Sequence, residues 1–217
     1  MIVEGIITTE DENGEMHAAP IGPHVDHEFR NWTLYPFQTS TTFANLHRTG
    51  RAVFHITDDA FLLTATVLGL GNRRLSSTGN SVDASNGASP GTHRSAEEPK
   101  WRDLIEKARQ ANHESEIGWV LERCHRYYAL QITEWDTSTP RAKGNCRIVR
   151  QGTKGDFWGW NRAKHSLLEL AILVSRRHIT DPVTWQSEWE RHRIIIDKTA
   201  GPEELEALAL LTSTVMP

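Results

Sequence analysis

The sequence predicts a mainly β protein of the α+β class: a small antiparallel barrel followed by a C-terminal α-helical subdomain. Three observations carry that reading. Through the first 150 positions, short runs rich in β-branched and aromatic residues are separated by turn-forming residues. Many short strands in such an order suit a barrel. Beyond residue 150 the apolar spacing becomes helical, and the segments begin and end on recognisable caps. The chain thus divides into a barrel unit over residues 1–150 and a helical unit over 151–217, with no internal repeat.

Taken in order, Ile2 to Thr9 is β-branched and starts without a helix cap, so it reads as a strand. Glu10 to Glu15 follows, and its Asn13-Gly14 pair signals a hairpin turn from which Met16 to Pro20 returns. Asn31 to Phe37 alternates as a third strand, with Pro36 marking an edge or a strand end. A short helix fits Thr41 to Thr49, closed by Gly50, the residue type that takes the left-handed cap conformation without steric cost. Ala52 to Ile56 is a fourth strand, and Asp58-Asp59 caps a helix from Ala60 to about Leu68. Residues 71–98 are rich in Ser, Gly and Asn and nearly lack large apolar groups, so they bury too little to offset their ordering entropy and read as a mobile insertion loop. Pro99 starts a helix to about Gln110, with Trp101, Leu104, Ile105 and Ala108 on one face. Trp119 to Trp135 returns to strand character, Tyr128, Leu130 and Ile132 facing away from Gln131 and Thr133, and Gly144 to Val149 is one more strand. Asn161 caps a helix bearing Ala163, Leu167, Leu170, Ala171 and Val174, and Arg176-Arg177-His178 suits the negative end of its dipole. Asp181-Pro182 opens a second tail helix to about Ile196, and Gly201-Pro202 a third with Leu205, Leu208 and Leu211 three apart.

Composition narrows the function. The chain has 217 residues with 24 basic and 28 acidic, a formal net charge of −4, which argues against a general nucleic-acid binder. No run approaches the ~20 apolar residues of a membrane span, and the N-terminus lacks the basic region of a signal peptide. Two cysteines, Cys124 and Cys146, form no C-x-x-C pair and fit a reducing compartment. A cytoplasmic protein is expected. Eight Trp and eleven His are an excess that any account of function has to meet.

The most informative stretch is Thr39-Ser40-Thr41-Thr42, four consecutive hydroxyl residues between a strand and a short helix. At a helix start the first amides lack partners and the dipole end is positive, so added hydroxyls build an anion site suited to a phosphate monoester. The plainer reading is that one of the four caps the helix and the others are solvated. Arg162 and Lys164 lie in the first turn of a helix, where the dipole disfavours cations; with Asn161 they make sense if an anion is held nearby, or they are an exposed, mildly unfavourable helix start. Other matches carry little. Gly69-Leu70-Gly71 follows a helix and lacks the third glycine of a dinucleotide fingerprint. His24-Val25-Asp26-His27-Glu28 reads as a solvated turn, so no metal is expected. Ser166 lacks a nucleophile-elbow context, and Cys124 and His125, as strand neighbours, point to opposite faces. No catalytic acid–base dyad stands out.

The run from Tyr35-Pro36-Phe37-Gln38-Thr39-Ser40-Thr41-Thr42-Phe43-Ala44-Asn45-Leu46 through Thr49-Gly50 to Val53-Phe54-His55-Ile56-Thr57-Asp58-Asp59 resembles the flavin reductase-like FMN-binding split barrels. Within them the chain is similar to the uncharacterised domain-of-unknown-function 447 family, through Val3-Glu4-Gly5-Ile6, Ala19-Pro20-Ile21-Gly22-Pro23 and Asn161-Arg162-Ala163-Lys164-His165 with Glu169. The resemblance covers most of residues 1–70 and 119–196. It implies a homodimer of six-stranded barrels, each with helical C-terminal elements, and FMN near the interface. It implies that Thr39, Ser40, Thr41 and Thr42 hold the FMN phosphate, with Gln38 and Asn45 beside that turn. It further implies that Ala19, Pro20, Ile21 and Gly22 line the isoalloxazine through backbone groups, and that Asn161, Arg162 and Lys164 reach the phosphate or a substrate. The expectation is an FMN-binding flavoprotein, an oxidoreductase passing hydride or electrons through FMN to or from a small molecule. A reduced nicotinamide or deazaflavin is the candidate donor, and a backbone donor from Ile21 or Gly22 would tune the ring. Two alternatives stay open: a non-catalytic flavin-binding or electron-carrier module, and an interaction adaptor through the helical tail, where Arg191, His192 and Arg193 cluster.

Overall fold

The computed structural model describes residues 1–70, 98–157 and 159–215, and side chains from 102 onward in the second of these segments. The expected insertion loop over 71–98 lies, apart from the helix start at Glu98, outside the described residues, as does the side chain of Trp101.

The strands are β1 (Gly5–Glu10), β2 (Met16–Ile21), β3 (His24–Val25), β4 (Trp32–Leu34), β5 (Arg51–Ile56), β6 (Ala111–Glu114), β7 (Gly118–Leu121), β8 (Arg126–Asp136) and β9 (Lys143–Thr153). The helices are α1 (Thr41–Thr49), α2 (Ala60–Val67), α3 (Glu98–Ala108), α4 (Arg162–Ser175), α5 (Pro182–Thr199) and α6 (Pro202–Val215). One antiparallel sheet runs β2-β1-β5-β8-β9-β4-β3, and β6 pairs with β7 as a separate hairpin. The sheet closes on itself. Gly5 pairs with Ile21 and Glu10 with Met16; the same register continues past Gly22 and Pro23, where Ile2 bridges His24 and the Val25 amide donates to the Met1 carbonyl at 2.8 Å. So β2 and β3 are two halves of one extended segment. Its first half pairs with β1, and its far end pairs with both the N-terminus and β4. Seven sheet segments therefore make the six-stranded barrel that the resemblance implies.

Side-chain alternation builds three cores. Ile7, Phe54, Tyr128 and Leu130 point into the barrel, around Trp32, which is 1% exposed. Their neighbours Val53, Tyr127 and Ala129 face outward under the β6–β7 hairpin with Ile117 and Val120. Ile6 and Ala18 face outward against the helices, where α2, α4 and α6 bury Leu62, Leu167, Leu170 and Leu211. The α2 helix thus sits between the barrel and the C-terminal helices, which is why it is apolar all round.

Several expectations change. The first strand begins at Gly5, with Ile2 only in a bridge, and the third shrinks from Asn31–Phe37 to Trp32–Leu34, although its ladder with β9 resumes at the Phe37–Arg141 bridge. The long strand from Trp119 to Trp135 is two strands, parted at residues 122–125, where the chain leaves the hairpin for the barrel. On α6 the buried apolar residues are Ala207, Leu210, Leu211 and Val215, while Leu205 is 48% exposed; spacing by three drifts round a 3.6-residue turn. The α5 helix runs on to Thr199.

One buried side chain ties three elements. His55 on β5 is fully buried, its Nδ1–H donating to the Ile6 carbonyl at 3.1 Å and its Nε2 accepting from the Leu121 amide at 3.1 Å. Both contacts need the neutral ring, and burial pushes its pKa from 6.5 down to about 4. The unfolded chain binds this proton below pH 6.5 and the folded one only near 4. The contribution is therefore complete above 6.5 and is lost as pH falls through that window, by about 3 kcal/mol. Urea titrations at pH 7.5 and pH 4.5 should show that fall. His55→Gln should flatten the slope while lowering stability at neutral pH by ~1–3 kcal/mol, since the Leu121 amide is left buried.

Candidate functional site

The β4–β9 ladder carries the chain to the barrel mouth. There Phe37 bridges Arg141, the Gln38 amide donates to the Pro140 carbonyl, and the hydroxyl-rich turn begins. Ser40 caps α1: its Oγ accepts the Phe43 amide at 3.1 Å and donates to the Phe37 carbonyl at 2.7 Å. Asn45, one turn on, is buried and donates to Thr9 Oγ1 at 3.1 Å, which pins the helix to β1. Thr42 is buried beside β2, its Oγ1 3.2 Å from His17 Nε2. Burial lowers the pKa of that imidazole. Thr39 and Thr41 are exposed. Among the described residues no backbone carbonyl accepts the Thr41 or Thr42 amide, as expected at a helix start. The positive end of α1 therefore stays open, although two of the four hydroxyls, those of Ser40 and Thr42, already have partners within the chain.

Facing this turn is the closing strand. Along it Val3 pairs with Pro23 and Met1 with Val25 through hydrogen bonds, so odd-numbered residues of β2 address β1 and even-numbered ones turn their backbone groups away. That alternation aims the Ile21 amide at β1. It gives Pro20, which has no N–H, a place where none is needed, and it leaves Gly22 as the donor directed out of the sheet. Among the described residues no carbonyl accepts the Gly22 amide. A side chain on Gly22 would also meet Ile2 at 2.7 Å and the Glu4 carboxylate at 3.1 Å.

Between the strand and the turn lies a cavity of about 570 Å³. Ala19, Pro20, Ile21 and Gly22 form one wall, and Tyr35, Pro36, Phe37, Ser40 and Thr42 the other. The His24 ring lies tilted against Tyr35, their centroids 4.7 Å apart. Two cations close the cavity: Arg141, whose guanidinium lies 4.2 Å over the Phe37 ring, and Arg176 from the end of α4. The sequence reading missed both, because each is far from Ser40 along the chain and Arg176 already had an adequate role at a helix end. Gln38 lies outside the lining; its amide donates to the Thr137 and Thr139 carbonyls and fixes the turn that carries Arg141.

Asn161, Arg162 and Lys164 are brought elsewhere. Asn161 caps α4, accepting the Lys164 amide at 3.0 Å, and Arg162 is exposed. Lys164 donates to Asp58 Oδ2 at 2.6 Å and lies 4.0 Å from Glu204. The anion that a cation in this first turn called for is therefore Asp58 of the same chain. Together with His125, Phe157, Trp160 and His165, Lys164 lines a second cavity, of about 480 Å³, which shares Ile2 with the first. The Trp and His excess divides accordingly. His24 borders the first cavity and Trp160, His125 and His165 the second, while Trp32 and His55 belong to the core.

The remaining candidates resolve as structure. Asp26 accepts the Arg30 amide and Asn31 Nδ2, both at 2.7 Å, shaping the turn before β4. Among the described residues no group of three metal-ligating side chains converges, and no helix is long and apolar enough to cross a membrane. Cys124 and Cys146 are buried free thiols, with burial pushing them up to about 11 and about 12.

A six-stranded barrel with an open helix start and an unpaired strand edge at its seam, backed by C-terminal helices, defines an α+β split barrel. The chain belongs to the DUF447 family of proteins of unknown function: its N-terminal-domain model matches residues 3–154 and its second model residues 161–213. Among solved structures the fold is similar to the FMN-bound protein MM1853 from Methanosarcina mazei, itself assigned to DUF447. The TM-score is 0.69 at 16% identity, over 99% of this chain and 95% of that one. More distant likenesses include an FMN-binding protein from Thermus thermophilus (TM-score 0.46, 12% identity, 70% of each chain) and the styrene monooxygenase flavin reductase of Pseudomonas putida S12 (0.45, 8%, 71% and 82%). Those two scores are too low to argue from. No curated protein matches the sequence.

The anchoring of α1 is directly measurable. Asn45→Ala should lower the unfolding free energy by ~2 kcal/mol, leaving a buried hydroxyl without its donor, and Ser40→Ala by ~1 kcal/mol through loss of the cap. Urea denaturation followed by tryptophan fluorescence reads both.

Proposed function

We propose that the chain binds FMN in the seam cavity and acts as an oxidoreductase on a small molecule. The observation that carries this reading is the convergence, in one cavity of about 570 Å³, of an open helix start, an unpaired backbone donor and two guanidiniums. That volume lies within the range typical of cofactor sites. The donor set fits a flat ring bearing a phosphate arm. Thr41 and Thr42 offer amides and Thr39 and Thr41 offer exposed hydroxyls for a phosphate, with Ser40 holding the helix start in place. Arg141 and Arg176 supply the positive charge that an overall acidic chain must concentrate locally. Ala19, Pro20 and Ile21 border the space for a ring, and Gly22 presents an amide that no carbonyl among the described residues accepts, free to donate to a ring nitrogen or carbonyl. Gln38 and Asn45 act by fixing the turn and the helix rather than by contact. The FMN-bound MM1853, alike over nearly the whole chain, supports the same cofactor here.

Bound FMN would supply the two-electron chemistry, and the protein's share would be position, exclusion of water and a hydrogen bond from Gly22. A homodimer belongs to this reading: Ile2 and Phe37, 56% and 51% exposed, rim the cavity and would be covered by a second copy. So does placement in a reducing compartment, where both thiols stay free.

Purified protein should carry a flavin absorbance spectrum or acquire one on titration with FMN; a colourless protein that takes up none contradicts the proposal. Arg141→Ala should weaken FMN binding by about tenfold or more without lowering stability, because the residue is exposed. Bleaching of the bound flavin by NADH, NADPH or a reduced deazaflavin supports turnover, whereas failure with every donor favours a flavin-carrying module.

A further inference from the structure

The β3–β4 hairpin is shorter than the strand it pairs with. It turns back at residues 26–31, where the Asp26 amide donates to the Asn31 carbonyl at 3.3 Å and Phe29 takes a left-handed φ of 57°. The ladder between β4 and β9 therefore ends at the Trp32–Cys146 pair, whereas β9 runs on to Thr153 with β8 beside it. Among the described residues, no backbone hydrogen bond other than those to β8 involves residues 147–153. In an antiparallel ladder alternate residues direct their N–H and C=O groups away from the neighbour, so this stretch of β9 has an open edge.

A concavity of about 840 Å³ follows that edge, and all five residues from Arg147 to Gln151 line it. Successive residues of a strand point to opposite faces, so a space that meets all five runs along the edge rather than over one face. Phe29 and Arg30 of the hairpin turn also border it, with the Phe29 ring stacked on Tyr128 at 6.1 Å.

The charge around the concavity has one sign. Arg30, Arg126, Arg147 and Arg150 line it against a single carboxylate, Glu28. Arg30 pairs with Glu28 at 3.0 Å and Arg150 with Glu114 at 2.9 Å. The Arg126 guanidinium lies 5.4 Å over the Tyr128 ring, and among the described residues neither Arg126 nor Arg147 makes an ion pair. Three kinds of occupant can be compared. The β9 edge of a second copy would set arginine against arginine. A phosphate-bearing chain would satisfy guanidiniums and amides but leave the edge carbonyls without donors. An extended polypeptide matches the donors and the acceptors alike, and acidic side chains on it match the arginines. Val149, left without a partner on β8 by the bulge and 45% exposed, adds an apolar contact.

We propose that the open edge of β9 takes an extended acidic segment of a partner protein, which adds as a further strand along Arg147–Thr153 with its carboxylates towards the surrounding arginines. This surface shares no lining residue with the seam cavity, so it does not depend on bound FMN.

The test is a fluorescence-polarisation titration of the full chain with a capped, labelled peptide alternating glutamate with valine. A length of about eight residues spans the edge at ~3.3 Å per residue. The glutamate peptide should bind about tenfold or more tightly than its lysine counterpart or an oligothymidylate of equal length, and should weaken as salt rises. Arg147→Glu, at an exposed residue without an ion-pair partner, should leave the fold intact and weaken the glutamate peptide about tenfold. Amide exchange followed by NMR separates strand addition from charge attraction alone: the peptide should slow exchange at amides of Arg147–Thr153 that face away from β8. Each of four results overturns the proposal: no binding of the glutamate peptide at millimolar concentration, equal or tighter binding of either control, unchanged affinity in Arg147→Glu, or binding that leaves those amides unaltered. Slow exchange of the same amides in the free protein overturns it too, because a second copy would then already cover the edge. All readouts are expected to be the same with and without FMN.

Discussion

The segment from Met16 to Val25 serves two ladders. It pairs with the N-terminal strand along its length, and its last two residues also pair with β4. This shared strand closes the barrel, and it sets most of what surrounds it. The segment pairs with β1 and the N-terminus throughout, whereas β4 reaches only His24 and Val25, so the backbone groups of Gly22 that point away from β1 are left over. Pro20 stands where a missing N–H does no harm and discourages another strand from adding to the open edge. The unpaired edge is thus a consequence of closure, and the seam is where the cavity lies.

Electrostatics follow the same economy. The chain carries a net −4, yet its first cavity faces a helix start and two guanidiniums, and its second a balanced carboxylate–ammonium–imidazole cluster. Neither requires a basic protein, because amides and hydroxyls carry dipoles rather than formal charge. The excess of histidine is spent on distinct tasks. His55 is a neutral tie in the core, lost to acid, and His125 donates to Asp58 beside the second cavity.

Much of this was legible in the sequence where the signal is local. The α1 helix falls on Thr41–Thr49 because Ser40 and Gly50 punctuate it, and α5 starts at Pro182 because Asp181 caps it. The hydroxyl run and the Ala19–Gly22 strand were visible as types and meet in one cavity. What sequence could not supply is long-range. β3 is two residues held only by its partners, and β6 has no apolar alternation to betray it. Arg141 reaches the cavity through the β4–β9 register, and Arg176 does so through the packing of α4. The Asn161–Lys164 motif showed that a cation at a helix start needed an anion, but only the fold shows that Asp58 is that anion.

The central claim is that one ligand uses both the open edge of the closing strand and the open start of α1. Amide hydrogen exchange resolved by NMR, with and without FMN, addresses it directly. The account predicts that FMN slows exchange at Gly22, Thr41 and Thr42 together, because no backbone carbonyl among the described residues accepts those amides. Protection elsewhere, with these three amides unchanged, would contradict it.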